Sequence, residues 1–154
     1  MFILFKSLVK SRLMKNAQKI TNKLRSSGLR PTKQRVLIAE FLFNREKTFH
    51  FTVEKLDKLI NSKLEQKKKI SLATFYNTVH TFKKAGHLKE ILTNNNKTYF
   101  DTNTGPHYHF FDSKRKKLTD IDTQSIKIKN FQNPPKGKTI KDIDVIINID
   151  NESQ

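Results

Sequence analysis

The segment that most constrains the fold is residues 70–86, ISLATFYNTVHTFKKAG. Ser71 is a suitable helix N-cap, because its hydroxyl can accept a hydrogen bond from an amide of the first turn. Gly86 stands where a residue in the left-handed conformation commonly ends a helix. The apolar residues between them recur at helical spacing: Leu72, Phe75, Val79 and Phe82. The segment therefore predicts one amphipathic helix.

The opposite face of this predicted helix is polar and uncharged through its middle. Its members are Thr74, Tyr76, Asn77, His80 and Thr81. Such side chains can hydrogen-bond to base edges and to the sugar-phosphate backbone of DNA. An ordinary surface helix with a polar face is the alternative interpretation of the same spacing.

The positive charge of the chain is concentrated in its N-terminal part. The formal net charge is +17; residues 1–92 hold 21 Lys and Arg against 6 acidic residues, whereas residues 93–154 hold 10 against 8. This asymmetry indicates a module that binds a polyanion, joined to a near-neutral second module. The polyanion is either nucleic acid or an anionic membrane surface.

Cysteine is absent from the 154 residues. Disulfides, zinc-thiolate sites and cysteine nucleophiles are thereby excluded, and the composition suits a reducing cytoplasm. No apolar run approaches the roughly 18 residues of a membrane-spanning helix. Residues 1–15 place an apolar patch before their basic residues, the reverse of a secretory signal. We interpret them as a basic arm or as a start assigned too early, since Met14 is a plausible initiator.

The remaining elements give an order of helices followed by a hairpin. Three helices are predicted before the central segment, over residues 16–28, 33–44 and 52–62. Residues 88–93 and 98–101 read as two strands around an Asn-rich turn. This order is typical of a winged helix-turn-helix, in which the fourth helix enters the major groove.

Residues 104–150 have a different character. Strands are expected near residues 107–112 and 118–122, and residues 140–150 alternate between apolar and polar. The apolar members of this last strand are Ile143, Val145, Ile147 and Ile149. A module this small would be marginally stable alone, so we predict that it pairs with a second copy. The predicted fold class is α+β, with a winged helix-turn-helix over 16–103 and a small α/β dimerisation module over 104–150.

Two segments of the chain resemble the ferric uptake regulator family. Residues 24–42 and 70–91 both follow the pattern of the family's DNA-binding domain. Within the family, residues 76–79, 107–111 and 134–149 look most like the iron response regulators, a branch that responds to haem. The resemblance implies a homodimeric regulator that binds double-stranded operator DNA.

The resemblance also implies a sensory metal site. His50, Asp101, His107 and His109 stand where the family places its ligands. Two histidines at i and i+2 on a strand share one face, and imidazole and carboxylate ligands suit Fe, Mn or Zn as divalent ions. Such a site would bridge the hinge between the domains, so its occupancy would set their relative angle.

The chain departs from the family at its structural zinc site. Asp112 and Arg115 stand where most members carry a Cys-x-x-Cys pair. No cysteine-type structural zinc is therefore expected, and haem regulators with a Cys-Pro motif cannot be the model. A divalent metal, haem, or both remain as the predicted cofactors.

We interpret the chain as a cytoplasmic, iron-, haem- or metal-responsive transcriptional regulator without enzymatic activity. Tyr76 and Asn77 are predicted to contact DNA, with Thr74 close by at the same interface. Basic residues of the first helix are predicted to hold phosphates: Lys19, Lys23 and Arg25. The alternatives are a basic RNA- or membrane-associated protein whose His tract is structural, and a metallo-hydrolase. No general base lies beside an open metal position in the sequence pattern, which argues against the hydrolase.

Overall fold

The computed structural model describes residues 16–130 and 132–150, so the predicted basic arm over 1–15 lies outside the described residues. The chain divides into two compact units. Of the described residues, the first unit holds 16–91 together with Thr98–Thr104, and the second holds Leu92–Lys97 together with 105–130 and 132–150. The functional roles predicted for the two domains remain predictions.

The first unit contains four α-helices among the described residues. They are α1 over residues 16–26, α2 Lys33–Phe43, α3 Val53–Asn61 and α4 Leu72–Lys84. A short 3-10 turn, Gln66–Lys68, lies between α3 and α4. Helices were predicted at all four positions, with boundaries that differ by at most two residues.

Three of these helices begin with the same hydrogen bond. The side-chain oxygens of Thr32, Thr52 and Ser71 each accept from the amide three residues later, at 3.3 Å. Each bond satisfies an amide that has no partner within its own helix. The predicted N-caps Thr32 and Ser71 are thus confirmed.

Helices α1 and α4 end with the same glycine cap. Gly28 has φ +74° and Gly86 has φ +75°, a conformation that costs glycine little because it has no Cβ. In each case the following amide donates back five residues, Leu29 to the Leu24 carbonyl and His87 to the Phe82 carbonyl, both at 2.9 Å. This Schellman arrangement satisfies carbonyls that would otherwise lack partners, and it confirms the predicted role of Gly86.

The core of the first unit is built from all four helices and from the strands beside them. Its fully buried members include Leu24, Ile38, Leu56, Phe75 and Phe100. One predicted core position is wrong: Leu72 is 42% exposed. Because Leu72 is the first residue of α4, it lies at the rim of the buried stripe, and Thr78 is buried on that helix instead.

Three short strands accompany these helices: β1 His50–Phe51, β2 Lys89–Leu92 and β3 Thr98–Asp101. They form one sheet in the order β1-β3-β2. The β2–β3 hairpin was predicted, whereas β1 was not. β1 is antiparallel to β3 and places His50 directly opposite Asp101.

The second unit contains a three-stranded sheet. Its strands are β4 Tyr108–Asp112, β5 Lys117–Ile121 and β6 Ile146–Ile149, in the order β5-β4-β6. β4 is antiparallel to β5 and parallel to β6. The polar connection between β5 and β6 begins with a 3-10 turn, Thr123–Ser125.

Two expectations for the second unit are wrong. Within residues 105–130 and 132–150 no α-helix is described, so the module is not α/β; the connection there is polar and carries Pro134 and Pro135, which disfavour a helix. The last strand is also shorter than predicted, because only Ile146–Ile149 pairs with β4. Alternation alone cannot show how many residues find a hydrogen-bonding neighbour.

His87 joins the end of α1 to the turn after α4. Its Nε2 lies 2.6 Å from Ser27 Oγ, and the Ser27 hydroxyl already donates to the Lys23 carbonyl. The His87 Nε2–H therefore donates to Ser27. The ring packs against Phe43 and Phe82, and burial, with a smaller contribution from the Lys23 charge, lowers the pKa of His87 below its usual value.

The lowered pKa of His87 predicts that the first unit loses stability in mild acid. As pH falls below about 6.5, the unfolded chain takes up this proton before the folded chain does. We expect the unfolding free energy, followed through the urea midpoint, to be level above that pH and to fall below it. This one group contributes a slope of at most about 1.4 kcal/mol per pH unit. His87→Gln should flatten the slope, and the exposed His80→Gln should keep it. Equal slopes for parent and His87→Gln would contradict the prediction.

Candidate functional site

His50 and Asp101 form a paired imidazole and carboxylate in the first unit. The register of β1 with β3 places them side by side, and His50 Nε2 lies 3.2 Å from Asp101 Oδ2. Asp101 is completely buried, while its Oδ1 accepts from the Asn103 amide at 2.8 Å. Burying a carboxylate is costly unless its oxygens are compensated. The Asn103 amide provides part of this compensation, and the His50 imidazole lies within ion-pair distance of the other oxygen.

His107 and His109 form a second cluster, in the second unit. Both are buried, and their Nε2 atoms lie 2.9 Å apart. His109 belongs to β4, and His107 precedes it, so the i and i+2 spacing places both rings on one face, as predicted.

The orientation of His107 is set by the backbone. Its Nδ1 lies 2.8 Å from the Gly105 carbonyl, and a carbonyl can only accept, so Nδ1 carries the proton. Nε2 is then the ring nitrogen that faces His109. A backbone carbonyl that accepts from the outer nitrogen is the usual support of a metal-binding histidine. The 2.9 Å separation of the two Nε2 atoms is a hydrogen-bond distance, and it also lies at the lower end of the about 2.9–3.4 Å that separates two nitrogens binding one ion at about 2.0–2.1 Å.

Asp120 is a candidate ligand that the sequence analysis did not identify. Its Oδ1 lies 3.9 Å from the Nε2 atoms of both His107 and His109. The antiparallel register places Asp120 directly opposite His109, and its side chain is 30% exposed. The available signal was its spacing of two residues from the buried Leu118, which puts both side chains on the same face of β5.

The four predicted metal ligands and Asp120 thus fall into two groups, one in each unit. The first unit holds one imidazole and one carboxylate, and the second holds two imidazoles and one carboxylate. Neutral imidazole and carboxylate donors suit borderline divalent ions. The donor chemistry therefore fits manganese, iron or zinc, and it requires no thiolate.

The β4–β5 turn is closed by contacts between Asp112 and Arg115. The Arg115 amide donates to Asp112 Oδ1 at 2.8 Å, and the Arg115 guanidinium lies 3.7 Å from Asp112 Oδ2. An aspartate that accepts from a backbone amide within a turn is a common way to stabilise it. These two positions close the turn without a metal ion.

The predicted base-contacting residues lie on the exposed side of α4. Tyr76 and Asn77 are exposed, and Thr74 is half-buried. The Thr74 hydroxyl lies 2.9 Å from Ser71 Oγ, so it takes part in capping α4. Tyr76 and Asn77 are therefore better placed than Thr74 to contact a ligand.

The predicted phosphate-binding residues are exposed on α1: Lys19, Lys23 and Arg25. Lys23 also packs its ammonium over the Phe43 ring, 5.4 Å from the centroid. A cation over an aromatic ring is held by the ring quadrupole. Lys23 is thus partly engaged within the first unit, whereas Lys19 makes no such ring contact among the described residues.

A model of the ferric uptake regulator family matches residues 26–148, which is most of the chain. The chain belongs to the ferric uptake regulator family. The peroxide-responsive repressor PerR of Staphylococcus epidermidis is 34% identical over 98 residues, covering 64% of this chain and 62% of the relative. PerR of Staphylococcus aureus strain Mu50 is 32% identical over the same length. This chain thus matches about three fifths of the length of these curated relatives.

Solved structures share the fold at low identity. The ferric uptake regulator of Pseudomonas aeruginosa with manganese superposes with a TM-score of 0.63 at 20% identity, covering 86% of this chain and 98% of that one. A zinc-bound manganese uptake regulator gives 0.58 at 23% identity, with 84% and 96% covered. The ferric uptake regulator of Francisella tularensis with iron gives 0.60 at 18% identity, with 81% and 93% covered. These likenesses support a mixed helix and sheet fold of this family.

Among the described residues, none of the helices is both long and apolar enough to cross a membrane.

Proposed function

We propose that this chain is a cytoplasmic, DNA-binding transcriptional regulator controlled by a divalent metal ion, and that it is not an enzyme. The observation that carries the proposal is the buried pair His107 and His109. Their Nε2 atoms converge at 2.9 Å beside Asp120, and the His107 tautomer leaves Nε2 as the ligand atom. Membership of the family supports the same conclusion.

His50, Asp101, His107 and His109 are the proposed metal ligands, and Asp120 is added to them. When bound, the ion would neutralise the carboxylates and hold the imidazoles in one arrangement. The relatives named above include proteins with manganese, zinc and iron, and none of those concerns haem. We therefore favour a divalent ion, and haem becomes an outcome of the test.

The proposed DNA interface is the winged helix-turn-helix predicted from the sequence. In this assignment α3 and α4 are the helix pair, the β2–β3 hairpin is the wing, and α4 presents Tyr76 and Asn77 to the major groove. The exposed basic residues of α1, Lys19, Lys23 and Arg25, would hold phosphates. The net charge of residues 1–92 supports a polyanionic partner.

The second unit is the proposed dimerisation module. Its sheet exposes Phe110, Ile147 and Ile149, and β6 lies at a sheet edge among the described strands. The register places Phe110 beside Ile147. An apolar sheet face beside an open edge suits pairing with a second copy. Pairing would bury the exposed apolar side chains and would give the backbone groups of the edge strand hydrogen-bonding partners.

The test is DNA binding by the purified full chain. The protein should bind an operator selected from random duplexes with an affinity that depends on the effector. The affinity with Mn²⁺, Fe²⁺ or haem should therefore differ from the affinity with chelator, in either direction. Sedimentation should give two chains per complex. Equal affinity for operator and random DNA under every condition would exclude the proposal. Selective binding without any effector response would favour the alternative, a basic nucleic-acid-binding protein whose histidines are structural.

Asn77→Ala and Lys19→Ala should separate base reading from phosphate binding. Losing a base contact should cost about 1–3 kcal/mol on the operator and relax specificity there. Losing a phosphate contact should weaken all sequences and reduce the salt slope by about 1. Affinity for operator and random DNA is measured over a range of salt concentrations. If Asn77→Ala binds both as the parent does, the assignment of α4 as the recognition helix is wrong.

A further inference from the structure

Tyr76 is held at both ends on the surface of the first unit. Its hydroxyl donates to a carboxylate oxygen of Glu54, in the first turn of α3. Its ring stacks on His80, one helical turn later, at 6.3 Å and 17° between planes. His80 in turn meets the edge of Phe100 at 5.8 Å. Tyr76 is exposed and yet has a defined orientation.

The bond to Glu54 determines what else the phenol can do. A tyrosine hydroxyl has one proton, and an ionised carboxylate can only accept. With its proton donated to Glu54, the Tyr76 oxygen can only accept from a third group. Phosphate oxygens, guanine N7 and O6, and thymine O4 are acceptors and do not fit. The amino groups of adenine N6 and cytosine N4 are donors and do fit.

The charge of Glu54 points to the same partner. The Glu54 side chain is exposed, so its charge acts on any DNA that approaches Tyr76. A carboxylate beside a phosphate is repelled, whereas a base amino group is attracted to it. The Tyr76–Glu54 pair therefore suits contact with base edges in the major groove and does not suit contact with the phosphate backbone of DNA.

The contact is maintained at neutral pH. The hydrogen bond to Glu54 is the largest cause that raises the pKa of Tyr76 above 10, with burial and the Glu54 charge adding to it. The phenol is therefore protonated at neutral pH and can donate to Glu54, as the geometry of the pair indicates.

We infer that Glu54 is a positioning residue for DNA recognition, which holds the Tyr76 oxygen as an acceptor for the amino group of an adenine or a cytosine. This inference rests on the proposed function, since it requires α4 to enter the major groove. It adds a specificity-determining residue outside the recognition helix and a chemical class for the base that Tyr76 reads.

The experiment removes single amino groups from the operator. Each adenine of the selected operator is replaced in turn by purine, and each cytosine by 2-pyrimidinone. The parent should lose about 5- to 100-fold in affinity at each amino group that is read. One of these losses should disappear in Tyr76→Phe, which already lacks the acceptor. The same loss should shrink in Glu54→Ala, because the freed hydroxyl can then turn and donate.

Two measurements separate positioning from a structural role. Glu54→Gln keeps an acceptor for the Tyr76 proton, so it should retain more of the discrimination than Glu54→Ala. The pKa of Tyr76, followed by ultraviolet absorbance against Tyr76→Phe, should fall in Glu54→Ala. Thermal melting identifies any variant that is merely unfolded.

Each outcome decides one proposal. A parent that binds no DNA selectively overturns the proposed function. A selective parent whose losses at every amino group persist unchanged in Tyr76→Phe overturns the role of Tyr76 and Glu54 alone. A loss that disappears in Tyr76→Phe but stays at the parent value in Glu54→Ala assigns the contact to Tyr76 and removes Glu54 from it.

Discussion

The double variant His107→Ala/His109→Ala is expected to bind operator DNA without any response to metal. In the proposed site these are the two imidazoles with converging Nε2 atoms, and water cannot replace both without loosening the ion. Coupling between an effector and DNA is typically about 1–3 kcal/mol, or roughly 5- to 150-fold in affinity. That whole factor should be lost.

The measurement is operator affinity with Mn²⁺, Fe²⁺, haem and chelator, alongside circular dichroism, which should be near that of the parent. His87→Gln is the matched histidine control, because it is not among the proposed ligands, and it should keep the full response. A double variant that still responds fully would make the His tract structural. A response lost for haem but kept for Mn²⁺ would assign His107 and His109 to haem and leave His50 and Asp101 with the divalent ion.

Leu56→Ala is expected to cost about 2–5 kcal/mol of the unfolding free energy of the first unit. Leu56 lies on α3, is completely buried and belongs to the core cluster that joins the helices. The substitution removes apolar contact and leaves a cavity that close-packed neighbours cannot fill without strain.

The chain offers a matched control for this variant. Leu72→Ala makes the same chemical change within the first unit at a side chain that is 42% exposed, and it should change the unfolding free energy by no more than about 1 kcal/mol. Both are measured as shifts of the urea midpoint for the transition of the first unit. Similar shifts for the two variants would mean that the burial of Leu56 is wrongly placed.

The features that the sequence alone determined depend on interactions between residues that are close together in the chain. The helix α4 follows from a capping serine, a left-handed glycine and apolar residues at helical spacing, all within 17 residues of chain. These effects act between neighbours, so the printed order of residues is sufficient to predict them. The same holds for the β2–β3 hairpin and for the shared face of His107 and His109.

Tertiary structure decided what depends on partners distant in the chain. Asp120 meets His109 only because β4 and β5 pair in one particular register. Leu72 fits the apolar spacing and is nevertheless exposed, because burial depends on which neighbours cover the end of α4. Tyr76 receives its orientation from Glu54, 22 residues earlier. Strand register and helix packing are set by the sum of many contacts across the fold. A local pattern such as the spacing of Leu118 and Asp120 can indicate the face of a strand, but it does not identify the partner across the sheet.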